Sequence, residues 1–358
     1  MKQRASPGAA RDLLITHCRE SISSIQAGRA SSCSLPGGKQ AVRTARPDPA
    51  DLRFLEMSSD TSSRELTVIV GSRDATSTLR ECVSALVASC AGIDAEILVV
   101  EATDPDAAKR SADGNPSVRV IAMPAGSLVP ALWGRGLREA RGRVVAFTIG
   151  QCVVSDGWAG ALLSGIRAGA AGVGGPLELR RGSSATARAT FYLRYAAWLD
   201  MPAGPAREIA GDNAAYDHAA LRDARTDAGE SFWEVEAHAR FRRLGRTLEV
   251  RPEAVAWFTD ATGLPEMAAR RFAHGRHSGA FRVRSGVRPR WQVVLGAPLV
   301  PFVLLLRVGR RVAQAPGHSL GFLTSLGAFL VLASAWAAGE AVGGITSGAS
   351  ARGALRAA

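Results

Sequence analysis

Glu101 stands directly after the apolar run Ile97-Leu-Val-Val100, and the short stretch Thr148-Ile-Gly-Gln151 directly after another, Val144 to Phe147. A third run, Leu66 to Val70, ends in Gly71-Ser-Arg-Asp74. In open α/β sheets ligands bind beyond the carboxyl ends of the strands, so these three ends are where polar side chains would meet one. Two roles are open to Glu101. Its carboxylate can accept from a ribose hydroxyl or a base N–H, or, with Asp104, it can cap the helix that Pro105 opens. His274 and His277, three apart, would share a helix face as metal ligands do, but no third ligand stands near them in sequence. A Gly-x-Gly-x-x-Gly after the first run and a Gly-x-x-x-x-Gly-Lys-[Ser/Thr] anywhere are both missing, which argues against dinucleotide and P-loop chemistry.

The elements that must carry these residues follow from periodicity. Leu66 to Val70, Glu96 to Val100, Val118 to Ile121 and Val144 to Phe147 are short and rich in β-branched residues, as strands buried on both faces are. Ser77 to Ser89 repeats Leu79, Val83, Leu86 and Val87 at helical spacing, and Ser127 to Ala140 is a further helix. Strands alternating with helices predict an α/β fold with a doubly wound, mostly parallel sheet. Beyond Trp158 the pattern predicts a helix to Gly169, a strand over Val173 to Leu179 and an apolar helix over Thr186 to Leu199. A loop, Arg207 to Asn213, precedes a helix from Tyr216, and Glu230 to Leu244 and Leu248 to Phe258 follow as helix and strand.

Composition bounds the rest. The chain has 358 residues, 47% of them hydrophobic, and a formal charge of +12 that is almost wholly arginine, because Lys2, Lys39 and Lys109 are its lysines. Such an excess fits a polyanionic partner, or simply a coding sequence biased to Ala, Gly and Arg. The arginines are scattered without an aromatic-interleaved stripe, which argues against nucleic acid. Five cysteines without a Cys-x-x-Cys suit a reducing compartment. Residues 1–62 read as a disordered tail without a secretory signal, with Met57 an alternative start; 63–262 read as the main domain and 263–290 as a basic interfacial region. Residues 291–346 read as membrane-associated helices before a short tail, 347–358. Ser319 to Gly339 is uncharged for 21 residues, enough to span. Trp291 to Leu306 is shorter, is broken by Pro298 and Pro301, and has arginines on both flanks, which favours a re-entrant or surface-lying segment.

Leu66-Thr-Val-Ile-Val-Gly-Ser-Arg-Asp74, Glu96-Ile-Leu-Val-Val-Glu101 and Gly136-Leu-Arg-Glu-Ala-Arg-Gly-Arg-Val-Val-Ala-Phe147, in this order and spacing, resemble family 2 glycosyltransferases of the GT-A fold. The resemblance runs from about Glu65 to Phe258. It implies inverting transfer of a sugar from a nucleotide-diphosphate donor to a lipid-linked or cell-envelope glycan, at the cytoplasmic face of a membrane. It implies a donor site at Ser72, Arg73, Glu101, Thr148 and Gln151. Gly211, Asp212, Asn213 and Trp233 are implied to line the acceptor side. Counting back from Gly245 puts Glu234 on the family's general-base position, and Glu236 one place off its face. The family commonly uses Mg²⁺ or Mn²⁺ held by Asp-x-Asp. Here those positions read Ile149-Gly-Gln151, which offers no carboxylate to a hard cation. Arginine could neutralise the diphosphate instead, with Arg73, Arg135 and Arg276 as candidates. The competing expectation is a non-catalytic relative that binds a nucleotide or glycan in envelope assembly.

Overall fold

The computed structural model describes residues 64–73, 77–224, 230–284, 286 and 288–354. The expected tails, 1–62 and most of 347–358, and Asp74 lie outside the described residues or their described side chains. The chain begins as expected: β1 (Leu66–Ser72), α1 (Ser77–Ser89), β2 (Ala95–Glu101), α2 (Pro105–Ser111), β3 (Val118–Ala122), α3 (Val129–Glu139) and β4 (Val144–Ile149). All residues of β1, β2 and β4 are buried, which is what their unbroken apolar runs require. Gly71 faces Val129 and Trp133 of α3, whereas Gly150, beside Ser72, faces Leu79 of α1, so helices cover both faces. Helix α3 sits close because Gly136 has no side chain; a Cβ there would fall 2.4 Å from Ile69.

The second half continues with β5 (Cys152–Val154), α4 (Trp158–Arg167), β6 (Gly172–Gly174), β7 (Leu177–Leu179), α5 (Ala185–Tyr195), β8 (Gly204–Ala206), β9 (Asn213–Asp217), α6 (His218–Asp223), α7 (Glu234–Arg243), β10 (Leu248–Val250) and β11 (Ala256–Phe258). Among the described residues the main sheet runs β3-β2-β1-β4-β9-β6-β10-β8. It is mostly parallel, with β9 inserted antiparallel between β4 and β6, and β8 antiparallel at the edge.

Four sequence expectations need correcting. Val173 to Leu179 and Leu248 to Phe258 are not single strands. Each breaks at a proline, Pro176 and Pro252, and crosses from the main sheet into a smaller one, β5-β11-β7. Proline cannot donate to a ladder, and Gly175 lets the crossover chain pass; a Cβ there would meet Ala254 O at 1.9 Å. Asn213 to Asp217 is strand, and the helix starts at His218, because the Asp217 carboxylate caps it by accepting from Ala220 N at 2.7 Å. Finally, Glu230 to Trp233 is not helical. Phe232 is fully buried and its N–H donates to Pro130 O at 2.8 Å, which leaves α7 to begin at Glu234.

The C-terminal part is helical: α8 (Leu264–Arg284), α9 (Arg290–Gly296), a 3₁₀ turn, α10 (Val300–Ala313), α11 (Ser319–Leu323) and α12 (Leu326–Ala354). Two stretches, Arg290–Ala313 and Leu326–Ser347, are long and apolar enough to cross a membrane. Helix α12 lies against α8 backbone to backbone. Gly275 and Gly279 meet the carbonyls of Trp336 and Glu340, while Gly339 and Gly343 meet those of Phe272 and Arg276. Any Cβ at these four positions would fall 2.0–2.1 Å from those oxygens. The Arg282–Glu340 ion pair is partly buried, with the carboxylate the covered end. The helices close on the main body through Tyr192 of α5, which donates to His318 O at 2.9 Å and packs edge-on against Phe322.

Two glycine substitutions separate close packing from mere backbone freedom. Gly175→Ala should cost about 1–3 kcal/mol, because two backbones must part. Gly160→Ala, on α4 with nothing within 4 Å, should instead gain about 0.5–1 kcal/mol. Urea denaturation of both variants checks the contrast; equal effects would refute it.

Candidate active site

The site begins with an aromatic stack. Phe147 of β4 and Phe232 lie face to face, 4.3 Å apart and 1° from parallel, with Trp133 and Tyr216 edge-on around them. Phe232 thus nails the segment leading into α7, and Glu234 emerges two residues later as the first residue of the helix. Its carboxylate lines a cavity of about 250 Å³ together with Trp133, Arg194, Tyr195, Trp198, Gly211, Asp212 and Trp233. Gly211 makes room for it: a Cβ there would stand 3.0 Å from Glu234 Cγ.

Burial pushes the Glu234 carboxyl up to about 7; its own backbone N–H pulls the other way, the nearby Asp212 adds to the rise, and Arg194 relieves it. A carboxyl poised near neutrality suits a proton acceptor. Asp212 is held by Arg194, Nη2 to Oδ2 at 2.7 Å, and by the hydroxyl of Tyr195. Burial, and then Asp212, keep that phenol protonated, so it donates.

A second cavity, of about 510 Å³, adjoins the first and shares Val129 and Arg194 with it. Its walls carry Arg73, Gln151, Asp260, Arg270, Arg271 and His274, besides Thr103 and Gly71 at the strand ends. His274 Nε2 lies 2.9 Å from Arg73 Nη1. Burial, and then the Arg73 charge, push this imidazole down to about 4, so it is neutral and accepts from the guanidinium.

The residues expected to form one site are therefore sorted by the fold. Arg73 and Gln151 line the larger cavity; Gly211, Asp212, Trp233 and Glu234 line the smaller. Ser72 turns to the opposite side of β1, where its hydroxyl lies beside Gly150. Glu101 is fully buried: Oε1 accepts from Thr103 N at 2.7 Å and Asp104 N at 3.3 Å, shaping the loop that brings Thr103 to the cavity, while the helix itself is capped by Asp104, which accepts from Ala107 N at 2.9 Å. Its Oε2 is buried with no partner among the described residues. Thr148 is buried and gives its carbonyl to Trp133 Nε1 at 3.0 Å. Asn213 is spent on structure: Oδ1 accepts from Trp158 Nε1 at 2.6 Å, and Nδ2 donates to Pro176 O and Ala254 O, both at 2.9 Å. Arg135 pairs with Glu139 at 2.6 Å and Arg276 is exposed on α8; neither lines either of these two cavities. Of the expected residues, Ser72, Glu101, Thr148, Asn213, Arg135 and Arg276 therefore line neither cavity, because strand order and helix phase turn their side chains elsewhere.

No protein-family model matches the chain, and no curated protein matches it either. Arg194, Asp260, Arg270 and Arg271 were not anticipated. Arg194 carried a faint signal, a charge near the end of an otherwise apolar helix; Arg270 and Arg271 were visible only as part of a basic segment. The Asp-x-Asp that holds a divalent cation in the resembled family has no counterpart on the larger cavity's described wall. Among the described residues no three His, Cys, Asp or Glu side chains come together, and Asp260 is the single carboxylate on the larger cavity's wall.

Glu234 holds its proton more tightly folded than unfolded. Its contribution to stability is therefore complete below the ordinary carboxyl range and is lost as pH rises through about 7. Glu234→Gln should melt above wild type at about pH 8, with the gap closing by about pH 5. Calorimetry across that range checks it, and a wild type that outlasts the variant at high pH would contradict it.

Proposed function

We propose that the protein is an inverting glycosyltransferase that takes its sugar from a nucleotide-diphosphate donor. The observation that supports this best is a carboxylate poised near pH 7 in a small cavity that opens beside a larger, guanidinium-walled one. The donor occupies the larger cavity with its sugar turned toward Arg194, and an acceptor hydroxyl enters the smaller one against Trp233 and Glu234. The acceptor O–H proton passes to the Glu234 carboxylate while the acceptor oxygen bonds to the anomeric carbon. The bond from that carbon to the diphosphate oxygen breaks, and its electron pair leaves on the nucleoside diphosphate. Gly211 leaves space beside the base, and Asp212, already neutralised by Arg194 and Tyr195, serves to shape the wall rather than to compete for the proton.

The resemblance adds the acceptor class, a lipid-linked or envelope glycan, and a place at the cytoplasmic face of a membrane. The exposed side chains of the C-terminal helices support attachment. Trp291, Leu295, Leu299, Phe302 and Leu306 form one exposed stripe along α9 and α10, continued by Leu320 and Leu323. Arg284, ahead of the stripe in sequence, and Arg310, between Leu306 and Leu320, are exposed as well. An apolar stripe rimmed by arginine lies in an anionic interface. Spanning is disfavoured for α12, because the charged helix α8 runs in backbone contact along it.

Two measurements test this reading. Donor turnover should rise with pH through about 7, and Glu234→Gln should lower kcat about 10²–10⁴-fold. Unchanged turnover in the variant would discard the base assignment, and nil turnover by both proteins with retained nucleotide binding would favour a binding protein, the reading that the missing metal ligands suggest. Second, the protein should sediment with anionic vesicles, lose that binding in Leu299→Asp/Phe302→Asp, and be released by alkaline carbonate. Release only by detergent would mean that it spans.

A further inference from the structure

We propose that the smaller cavity receives one neutral sugar ring of the acceptor, with the indoles of Trp198 and Trp233 as its platform, and that it refuses a lipid phosphate. That this ring is then glycosylated rests on the transferase reading; the binding of a neutral sugar does not.

Four aromatic side chains line this cavity, Trp133, Tyr195, Trp198 and Trp233, and they divide into two kinds. Trp133 and Tyr195 are buried and their polar atoms are spent, Trp133 Nε1 on Thr148 O at 3.0 Å and the Tyr195 hydroxyl on Asp212. Trp198 and Trp233 are only half-buried, which leaves indole surface for a ligand. Both are anchored through the backbone. Trp198 N–H donates to Tyr195 O at 2.8 Å where α5 ends, and Trp233 stands between Phe232, stacked on Phe147, and the first residue of α7. An indole face is the negative side of the ring quadrupole. The C–H bonds on one face of a pyranose are polarised positive by the ring's oxygens, so a sugar packs on such a face while its hydroxyls point to the rim.

Charge decides against an anion. The ionisable side chains on the described wall are Arg194, Tyr195, Asp212 and Glu234. Arg194 is held by Asp212 at 2.7 Å and the phenol stays protonated, so the wall's cation is balanced before a ligand arrives, and Glu234 adds negative charge when it ionises. A phosphate headgroup beside Glu234 would be repelled. It would also need no base, because a phosphate monoester has shed its second proton by about pH 6. A sugar hydroxyl keeps its proton until the attack, and a carboxyl held at about 7 is suited to take it. Size sets the number of rings: at about 250 Å³ the cavity falls below the roughly 300–1,000 Å³ of drug-sized sites, so it takes one ring rather than a chain of them.

Saturation-transfer NMR of the full chain tests this, with the methyl glycosides of glucose, galactose, mannose and N-acetylglucosamine, and with citronellyl phosphate as a phosphate-headed isoprenoid. At least one glycoside should receive saturation from the protein, and citronellyl phosphate should not displace it. Trp198→Ala and Trp233→Ala should each weaken that glycoside about 2–10-fold, the loss of one aromatic contact, and Trp198→Phe less than Trp198→Ala. Trp291→Ala, exposed on α9 outside the cavity, should leave binding unchanged. Circular dichroism of each variant separates lost binding from lost fold. No glycoside bound by the folded wild type would overturn the proposal. So would equal weakening by inner and outer variants, or displacement of the glycoside by citronellyl phosphate. Failure of the transferase reading looks different: glycoside binding intact and dependent on both tryptophans, with no sugar transferred to it from any nucleotide donor. Transfer to a lipid phosphate without glycoside binding would sink the sugar platform and leave the transferase standing.

Discussion

The stack of Phe232 on Phe147 is the contact on which the site depends. Phe147 belongs to a strand buried on both faces, so its position is fixed by the whole sheet. Phe232 belongs to a non-helical link and has no ladder to hold it; the face-to-face contact, the edge-on rings of Trp133 and Tyr216, and the bond to Pro130 do so instead. Aromatic pairs of this kind are worth about 0.5–1.5 kcal/mol each beyond the area they bury. Their larger consequence is positional. They fix where α7 starts, and the first residue of α7 is Glu234.

Around that carboxylate the charges are arranged so that burial decides its pKa. A helix start ordinarily favours an ionised carboxylate, and the Glu234 backbone N–H does lower its pKa. Desolvation wins because Arg194, whose charge opposes it, is already taken by Asp212 and Tyr195. The same arginine stands in the wall between the two cavities. Under the proposed transfer it would separate the leaving diphosphate from the base, so that the guanidiniums stabilise the departing charge without holding Glu234 ionised and weakly basic.

The helical layer contributes a wall as well as a surface. Its glycine contacts bring α12 so close to α8 that α8 has one rotational setting, with Arg270, Arg271 and His274 turned to the cavity and Arg276 turned out. The tail is therefore part of the site's construction, and whatever docks on its exposed stripe sits one helix away from the proposed donor.

Much of the first half was legible in sequence. Unbroken β-branched runs can be little else than buried strands, and the helices between them carry their own period, so β1 to β4 and α1 to α3 follow from local pattern. Glu234, Gly211 and Asp212 were singled out by resemblance and share one cavity wall, and the absence of Asp-x-Asp was plain to read. Strand order, helix phase and packing decided the rest. Asn213 became a structural bond-maker because β9 inserts between β4 and β6, a pairing between residues far apart in the chain that no local period encodes. The cationic wall came from Arg270 and Arg271 rather than Arg135 and Arg276, because every arginine looks alike in sequence, and only the face that a helix turns inward says which of them meets a ligand.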